Sequence, residues 1–595
     1  MYNKKNQVSS YDISFNNHIY KSISKHLSIA TVFLFLVILS LNYYNIIPDF
    51  LKPVYFFYLA LIISTTYLTL KINALHDFHK KDSPIIFISK YLFLLTLIVL
   101  AINQFLKRPV ITDLTPYIIG ISIASGFLTF YTHRDKVEKE LEDEKEKEEE
   151  EERRRKQDFQ YKFPRLNKIP VLRSIVKWMY KEGWVYSVGL IVIVLVGFGL
   201  RVWNIWNIPF QNDEIFHAET VRIGNFIPSL DNHININTIY FRGIIVHYAG
   251  LFGNFIFDKP EFSLRFFGII LGTIIPVIIY FILKDNFPKK IGLLSSFIFS
   301  FEVWFIEFSR YTRFYIYTIF LIILTTYFIY KKPFLSNKLL KTKFCFLLIF
   351  GIITPYLFNE YLFFFYLILF FTFLITSIIY KNLNLLLKGK VIPITIGGFI
   401  YLLSNYMLNR NYFPNISPVL SNYFFIQLRF LFNEYSIFLV LFLSFLFFIL
   451  FNKKSLNNKF IITFYLISIG TLVSLLIINY LSYNPNVRII LFFITWLFII
   501  VPISLYFLPK KIFGAISLLF IILILINITS LPYSIGDQYS DKIVYEKLPI
   551  ILDHRKPIQI ENIKSPYYLA SVCYNPLFTK YYFEQKEDYF IRGNS

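Results

Sequence analysis

Long apolar runs separated by short polar connections constrain this sequence more than any other feature. The run at 184–200, for example, contains no charged residue. A bilayer core about 30 Å thick is crossed by roughly 20 helical residues, and backbone polar groups in lipid must be bonded within the segment. The chain is 55% hydrophobic and only 16% charged, which excludes a soluble globular domain. These features predict an all-α polytopic membrane protein.

The positive charge of the chain is distributed among these connections. The formal net charge is +22, but the lysines lie in short clusters between apolar runs. Cytoplasmic loops of membrane proteins carry such an excess of lysine and arginine. The charge therefore indicates membrane topology and predicts no nucleic-acid partner. The two cysteines, Cys345 and Cys573, are too few for a disulfide framework or a cysteine metal site.

The first part of the chain, residues 1–131, is predicted to be a four-span membrane module. Lysines before the first apolar run place the N-terminus in the cytoplasm by the positive-inside rule. Because the number of spans is even, the chain then returns to the cytoplasmic side. The four runs lie at 27–47, 54–70, 85–106 and 115–131.

Residues 132–183 are predicted to form a charged cytoplasmic linker and an interfacial helix. The stretch 132–158 is a low-complexity run of acidic and basic residues. Pairs four residues apart, such as Lys136 and Glu140, favour a solvated helix without an apolar face, and docking of a partner is the alternative. After Pro170 the sequence predicts a short helix on the inner leaflet. Its apolar side is formed by Leu172, Ile175, Val176 and Met179.

The following region, 184–529, is predicted to be the main membrane domain, and 530–595 a small extracytoplasmic tail. Lysine clusters recur at every second connection between its apolar runs, which places those connections in the cytoplasm together with Glu148. The long connection after Leu200 and the tail therefore lie outside. The eleven runs are 184–200, 264–283, 291–308, 314–330, 344–358, 361–380, 391–408, 437–451, 460–480, 487–508 and 512–528.

A pair of adjacent acids follows the first of these runs on the predicted outer side. Trp203 and Trp206 suit the membrane interface, and Asp213 and Glu214 come shortly after them. Acids in this position indicate chemistry at the membrane surface. The alternative is that the pair only caps a helix and charges its N-terminus.

Four short motifs lie in order on the predicted outer side of this domain. They are Leu200-Arg-Val-Trp203, Asp213-Glu214, Tyr240-Phe-Arg-Gly243 and Ser309-Arg-Tyr-Thr-Arg-Phe-Tyr315. Their combination resembles the GT-C glycosyltransferases that use polyprenyl-phosphate sugars, in particular protein O-mannosyltransferases and lipid A aminoarabinose transferases. The resemblance implies a GT-C type multi-span helical bundle with external loop helices, a catalytic domain at 184–529, and inverting transfer of a hexosyl or pentosyl group to a hydroxyl. The N-terminal module and the linker depart from the family pattern.

The resemblance also implies roles for the acidic pair. Asp213 acts as the catalytic base on the acceptor hydroxyl, and Glu214 positions the site or the acceptor. Phosphate is a good leaving group when cations stabilise its charge, so one carboxylate base is enough. His217 lies four residues after Asp213 and either faces the same pocket or ligates a metal with an acid. No second histidine stands at ligand spacing. We therefore predict no metal and no other cofactor.

Arginines and tyrosines on the outer side are candidates for binding the donor. Arg242, Arg313 and Arg488 are predicted there. A guanidinium holds phosphate oxygens with two donors, and contact with lipid headgroups is the alternative. Tyr240 and Tyr315 belong to the same motifs as Arg242 and Arg313, and we predict that they bind substrate too.

Three carboxylates lie in or near the predicted spans. Glu302 and Glu307 fall within one apolar run, and Glu360 lies in a short turn between two others. A charge inside the bilayer costs about 2.5 to 3.5 kcal/mol on insertion scales, so such residues usually have a function. We expect pairing with Arg310 or Arg313. Direct substrate contact is the alternative, and we retain Glu307 and Glu360 as candidate substrate-binding residues.

The predicted partners are a polyprenyl-phosphate sugar, membrane lipid, and an acceptor that is a protein, lipid or glycan. The predicted location is the plasma membrane, with an extracytoplasmic active site. Two other functions stay open: an oligosaccharide transferase or ligase that uses a lipid diphosphate, and a multi-span transporter with a charged path. The external loop of about sixty residues before the run at 264–283 favours an enzyme.

Overall fold

A computed structural model gives the fold of most of the predicted membrane domain. The predicted spans at 27–47 and 54–70 and the predicted tail lie outside the described residues. The described residues are 84–106, 115–162, 170–203, 205, 214, 221, 244–257, 259–331, 340–359, 361–382, 386, 389–408, 431, 435–451, 459–481 and 490–528.

Within these ranges the elements are all α-helices. They are α1 (Pro84–Leu106), α2 (Thr115–Lys162), α3 (Pro170–Glu182), α4 (Trp184–Val202), α5 (Ile244–Ile256), α6 (Pro260–Lys284), α7 (Lys289–Phe301), α8 (Val303–Ser309), α9 (Phe314–Lys331), α10 (Leu340–Leu357), α11 (Tyr361–Ile379), α12 (Val391–Leu408), α13 (Ser436–Phe451), α14 (Lys459–Leu481), α15 (Leu491–Tyr506) and α16 (Lys510–Ile528).

Several of the described helices have the length and apolar composition of membrane spans. Four of them, α4, α6, α11 and α16, are long enough to cross a membrane, and the bent pair α7 and α8 makes a fifth when counted as one span. Shorter apolar helices of 10–17 residues correspond to most of the other predicted spans in the described ranges. The predicted fold class, an all-α polytopic membrane protein, is therefore confirmed.

The described residues form two compact units. The first contains α1, α2 up to Glu140, α13 and residues 503–519. In this unit the ring of Phe130 on α2 lies 5.3 Å from that of Phe445 and 5.7 Å from that of Phe448, both on α13. The first unit thus contains helices beyond the predicted N-terminal module.

The second unit contains the remainder of α2, helices α3 to α12, α14, α15 up to Pro502 and α16 from Phe520. Its helices α10 and α12 cross very closely. A Cβ atom on Gly351 would lie 2.2 Å from the carbonyl oxygen of Ile394, and one on Gly397 would lie 2.3 Å from that of Leu348. The absence of side chains at these two glycines therefore permits the close approach.

The charged linker is helical and continuous with the preceding predicted span. Helix α2 runs for 48 residues. Lys290 Nζ lies 2.7 Å from Glu144 Oε1, and the Lys289 backbone N–H donates to Glu148 Oε2 at 3.1 Å. Burial raises the pKa of the Glu148 carboxyl, and this hydrogen bond acts against the rise. The acidic face of α2 thus contacts the N-terminus of α7 in the same chain.

The predicted span at 291–308 corresponds to two helices, because the helix breaks at Glu302. Helices α7 and α8 are bent by 60° at this residue. Glu302 has an extended backbone with φ −69° and ψ 129°, and its side chain accepts a hydrogen bond from the Phe305 N–H at 3.1 Å. It is therefore the N-cap of α8. Glutamate is not among the usual capping residues, so the sequence does not indicate the break.

Candidate active site

A fully buried ion pair lies at the centre of the candidate site. The Glu214 carboxylate is 0% exposed. It accepts hydrogen bonds from Arg265 Nε at 2.9 Å and from Arg265 Nη2 at 2.6 Å, one on each oxygen. Arg265 lies near the start of α6 and also donates from Nη1 to the carbonyl oxygen of Ile205 at 3.3 Å. Such two-point pairing is both strong and specific in direction.

Glu214 also binds the segment 310–313, which connects α8 to α9. Its Oε1 accepts a hydrogen bond from the Thr312 backbone N–H at 2.7 Å. Thr312 itself is buried. Since both carboxylate oxygens are engaged by protein donors, Glu214 joins three parts of the chain: its own position after α4, the start of α6, and the segment 310–313.

Arg310 connects the same segment to the end of α4. Its Nη1 lies 3.2 Å from Glu307 Oε1, and its Nη2 donates to the carbonyl oxygen of Trp203 at 3.0 Å. The predicted pairing of Glu307 with an arginine is therefore present. Burial lowers the pKa of the Arg310 guanidinium, and the Glu307 carboxylate acts in the opposite direction. A guanidinium nevertheless stays charged in proteins.

Arg313 is the more accessible arginine of this segment. Arg310 is buried, whereas Arg313 is half-buried. The Arg313 backbone N–H donates to the carbonyl oxygen of Tyr311 at 2.7 Å, directly before α9 begins. Tyr315, in the first turn of α9, packs edge to face against Phe308 with ring centroids 5.2 Å apart. The exposure of Arg313 suits contact with a ligand, and the packing of Tyr315 fixes the start of α9.

The structure describes four of the nine predicted site residues, and all four lie around the segment 310–313. Glu214 bonds to it, Glu307 pairs with it, Arg313 is part of it and Tyr315 follows it. The other five lie outside the described residues: Asp213, Tyr240, Arg242, Glu360 and Arg488.

Two buried arginines near this site are not among the residues predicted from the sequence. Arg201, in the last turn of α4, and Arg265 are at most 2% exposed. Arg265 is the second residue of the predicted span at 264–283, and a charge inside a span is in itself a functional signal. Its partner Glu214, however, is 51 positions away. No spacing rule connects two residues so far apart.

A family model matches part of this region. Residues 242–406 match the model described as dolichyl-phosphate-mannose-protein mannosyltransferase. The matched range contains Arg265, Glu307 and Arg313, and it begins after Asp213 and Glu214. No curated protein and no solved structure matches the chain. The family match confirms the resemblance to GT-C type membrane glycosyltransferases.

Proposed function

We propose that the protein transfers a sugar from a polyprenyl phosphate to an acceptor hydroxyl at the extracytoplasmic face of the plasma membrane, with inversion. The description of the matching family favours mannose as the sugar. The observation that carries the proposal is the hydrogen bond from the Thr312 N–H to Glu214, at 2.7 Å. It supports one site formed by the acidic pair and the segment 310–313.

This hydrogen bond joins the sequence neighbours of the proposed base and of a proposed phosphate ligand. Asp213 precedes Glu214 and Arg313 follows Thr312, and consecutive Cα atoms are about 3.8 Å apart. The proposed base and a proposed phosphate ligand therefore each lie one residue from the same bond. Since both oxygens of Glu214 are engaged by Arg265 and Thr312, we assign Glu214 a positioning role.

The chemistry needs one proton acceptor and a cation. Asp213 accepts the proton of the acceptor hydroxyl while the hydroxyl oxygen bonds to the anomeric carbon of the sugar. The bond from that carbon to the phosphate oxygen breaks, and its electron pair leaves with polyprenyl phosphate, whose charge Arg313 stabilises. Attack opposite the phosphate inverts the configuration. Retention would need a second displacement by a carboxylate nucleophile.

The remaining predicted residues complete this scheme. Arg242 and Arg488 add positive charge for the donor phosphate, and Tyr240 contacts the substrate beside Arg242. Glu360 contacts the acceptor or the sugar. Glu307, which is paired with Arg310 at 3.2 Å, keeps the segment 310–313 in place, so its effect on the substrate is indirect.

The charges at the two ends of α6 support an extracytoplasmic location for the site. Glu182, at the end of α3, is buried and pairs with Lys284 and Lys289. These lysines end α6 and begin α7, whereas Arg265 lies near the other end of α6. A 25-residue helix such as α6 is about 37 Å long. The lysine end is cytoplasmic by the positive-inside rule, which favours an extracytoplasmic position for Arg265.

The proposed reaction predicts free polyprenyl phosphate as a product. Purified protein supplied with polyprenyl-phosphate mannose and a peptide, lipid or glycan acceptor should release the lipid monophosphate in equal amount to the glycosylated acceptor. Release of lipid diphosphate from an oligosaccharide donor would favour the alternative transferase. Solute uptake into proteoliposomes without bond cleavage would instead indicate a transporter.

Arg313→Lys is expected to raise the KM for the donor about tenfold, on the scale of one hydrogen bond to a charged group. Lysine keeps the charge but loses the planar fork that holds two phosphate oxygens. Donor titration of purified variants measures the change. Arg154→Lys, on the exposed part of α2, is the control and should behave as wild type. Unchanged donor KM and turnover in Arg313→Lys would show that Arg313 does not bind the donor.

A further inference from the structure

We propose that Arg201 is a positioning residue that maintains the break between α7 and α8 and thereby sets the geometry of the segment 310–313. Arg201 is 1% exposed in the last turn of α4. Its Nη1 donates to the carbonyl oxygens of Gly197 and Ser300, both at 2.9 Å, and its Nη2 donates to that of Phe299 at 3.2 Å. The consequence for sugar transfer rests on the proposed function.

Two of the three carbonyl groups that Arg201 binds, those of Phe299 and Ser300, lie where the break ends α7. The last carbonyls of a helix have no N–H four residues later to bond them, and Phe299 and Ser300 belong to the last turn of α7. The break lies within a predicted span, where lipid provides no water to satisfy these groups. A guanidinium from the neighbouring helix supplies the missing donors.

The space around Arg201 is shaped for a guanidinium. A Cβ atom on Gly197 would lie 3.2 Å from Arg201 Nη1, and one on Gly272 of α6 would lie 3.1 Å from Arg201 Nε. The same atom on Gly272 would lie 2.5 Å from Ser309 Cβ. Larger residues at either glycine would displace the fork. A lysine ammonium would fit the space but could not reproduce the two directed donors.

The end of α4 contacts the chain on both sides of α8. Before α8, Arg201 binds the carbonyl groups of Phe299 and Ser300 in the last turn of α7. At the end of α8, Arg310 donates to the carbonyl oxygen of Trp203, two residues after Arg201. Helix α8 has only seven residues, so these two attachments fix its orientation and that of the segment 310–313. Loss of the first attachment is therefore expected to move Arg313 relative to the donor.

The test begins with Arg201→Lys in a chain that also carries Cys345→Ser and Cys573→Ser. We expect the donor KM to rise about tenfold, the scale of one lost hydrogen bond to a charged group, with a smaller change in kcat. The amides of residues 299–310 should also exchange hydrogen for deuterium faster than in the parent chain. The exchange measurement does not depend on activity, so it decides the structural role even if no sugar transfer is detected.

A reversible cross-link provides the rescue. The ideal Cβ position at Gly197 lies 3.1 Å from Ser300 Cβ, so the two helices must separate by a few tenths of an ångström to reach the range of about 3.5 to 4.5 Å found in disulfides. In the Arg201→Lys chain, oxidised Gly197→Cys and Ser300→Cys should restore slow exchange and most of the donor affinity. Reduction should remove both gains, and the same protein sample serves as its own control.

Two alanine variants keep the proposal testable if Arg201→Lys does not accumulate. Gly197→Ala places a methyl group against the Arg201 fork and should raise both exchange and donor KM. Gly199→Ala, on the same helix, has no atom within 4 Å of the new Cβ and should change neither.

Unchanged exchange in Gly197→Ala and Arg201→Lys would overturn the proposal. Faster exchange with unchanged donor KM would do so as well, since Arg201 would then contribute to stability alone. A wild-type protein without transferase activity would refute the proposed function instead.

Discussion

Asp213→Asn is expected to lower the turnover of sugar transfer by about 10²-fold or more, the usual scale for losing a general base. Asparagine nearly preserves the size of aspartate but does not accept the proton of the acceptor hydroxyl. The donor KM should change little, because phosphate binding is assigned to the arginines. Steady-state kinetics of the purified variant, with donor and acceptor varied separately, measure both values.

The same substitution separates a base from a helix cap. Asparagine caps helices as well as aspartate does, so a capping role would leave turnover almost unchanged. Asp231→Asn, in the same predicted external loop, is the matched control and should keep full activity. Near-wild-type turnover in a well-expressed Asp213→Asn protein would move the search for the base to Glu307 or Glu360. Glu214 is the weaker candidate because both of its oxygens are bonded.

Hydropathy predicts the described helices well. Hydropathy predicts α4 at 184–200, and the helix spans Trp184–Val202. It predicts α9 at 314–330, and the helix spans Phe314–Lys331. In lipid, the backbone of an apolar run must bond to itself, and for a single segment the helix is the structure that achieves this. Composition alone therefore places these elements to within a few residues.

The features that hydropathy misses depend on length or on partners far along the chain. Hydropathy does not indicate helix α5, because its 13 residues are too few to cross a bilayer, and only the family resemblance implies helices in the external loop. The break at Glu302 needs donors from Arg201 on another helix. Likewise, the sequence predicts a solvated linker helix, because the lysine that Glu144 binds, Lys290, is 146 positions away.

In the candidate site, too, the sequence indicates some features and misses others. Motifs identified Glu214 and Arg313 because acids and arginines at the outer ends of spans have a chemical meaning. They did not separate a base from a positioning carboxylate, since that distinction depends on what each oxygen contacts. The Glu214 oxygens accept hydrogen bonds from Arg265 and from the Thr312 N–H. Asp213 lies outside the described residues, so its role stays a prediction.

The largest effect on stability is expected from the pair of Glu214 and Arg265. Glu214→Leu leaves a buried arginine without its counter-ion, and removing one partner of a buried ion pair costs about 3 to 5 kcal/mol. Arg265→Met should cost a similar amount, because it leaves the carboxylate unpaired. Thermal unfolding in one detergent measures both variants. Glu150→Gln is the control: its pair with Arg154 has a 2.7 Å separation but lies on the surface, so its loss should not change the unfolding temperature measurably.

The double variant of this pair separates stability from function. Glu214→Leu with Arg265→Met leaves no buried charge unpaired, so it should be more stable than the sum of the two single losses indicates. It should nevertheless stay inactive, because without the Glu214 carboxylate no hydrogen bond from the Thr312 N–H connects the segment 310–313 to the residue next to Asp213. A double variant with restored turnover would show that the pair has a structural role only, and strictly additive losses would show that Glu214 and Arg265 do not interact.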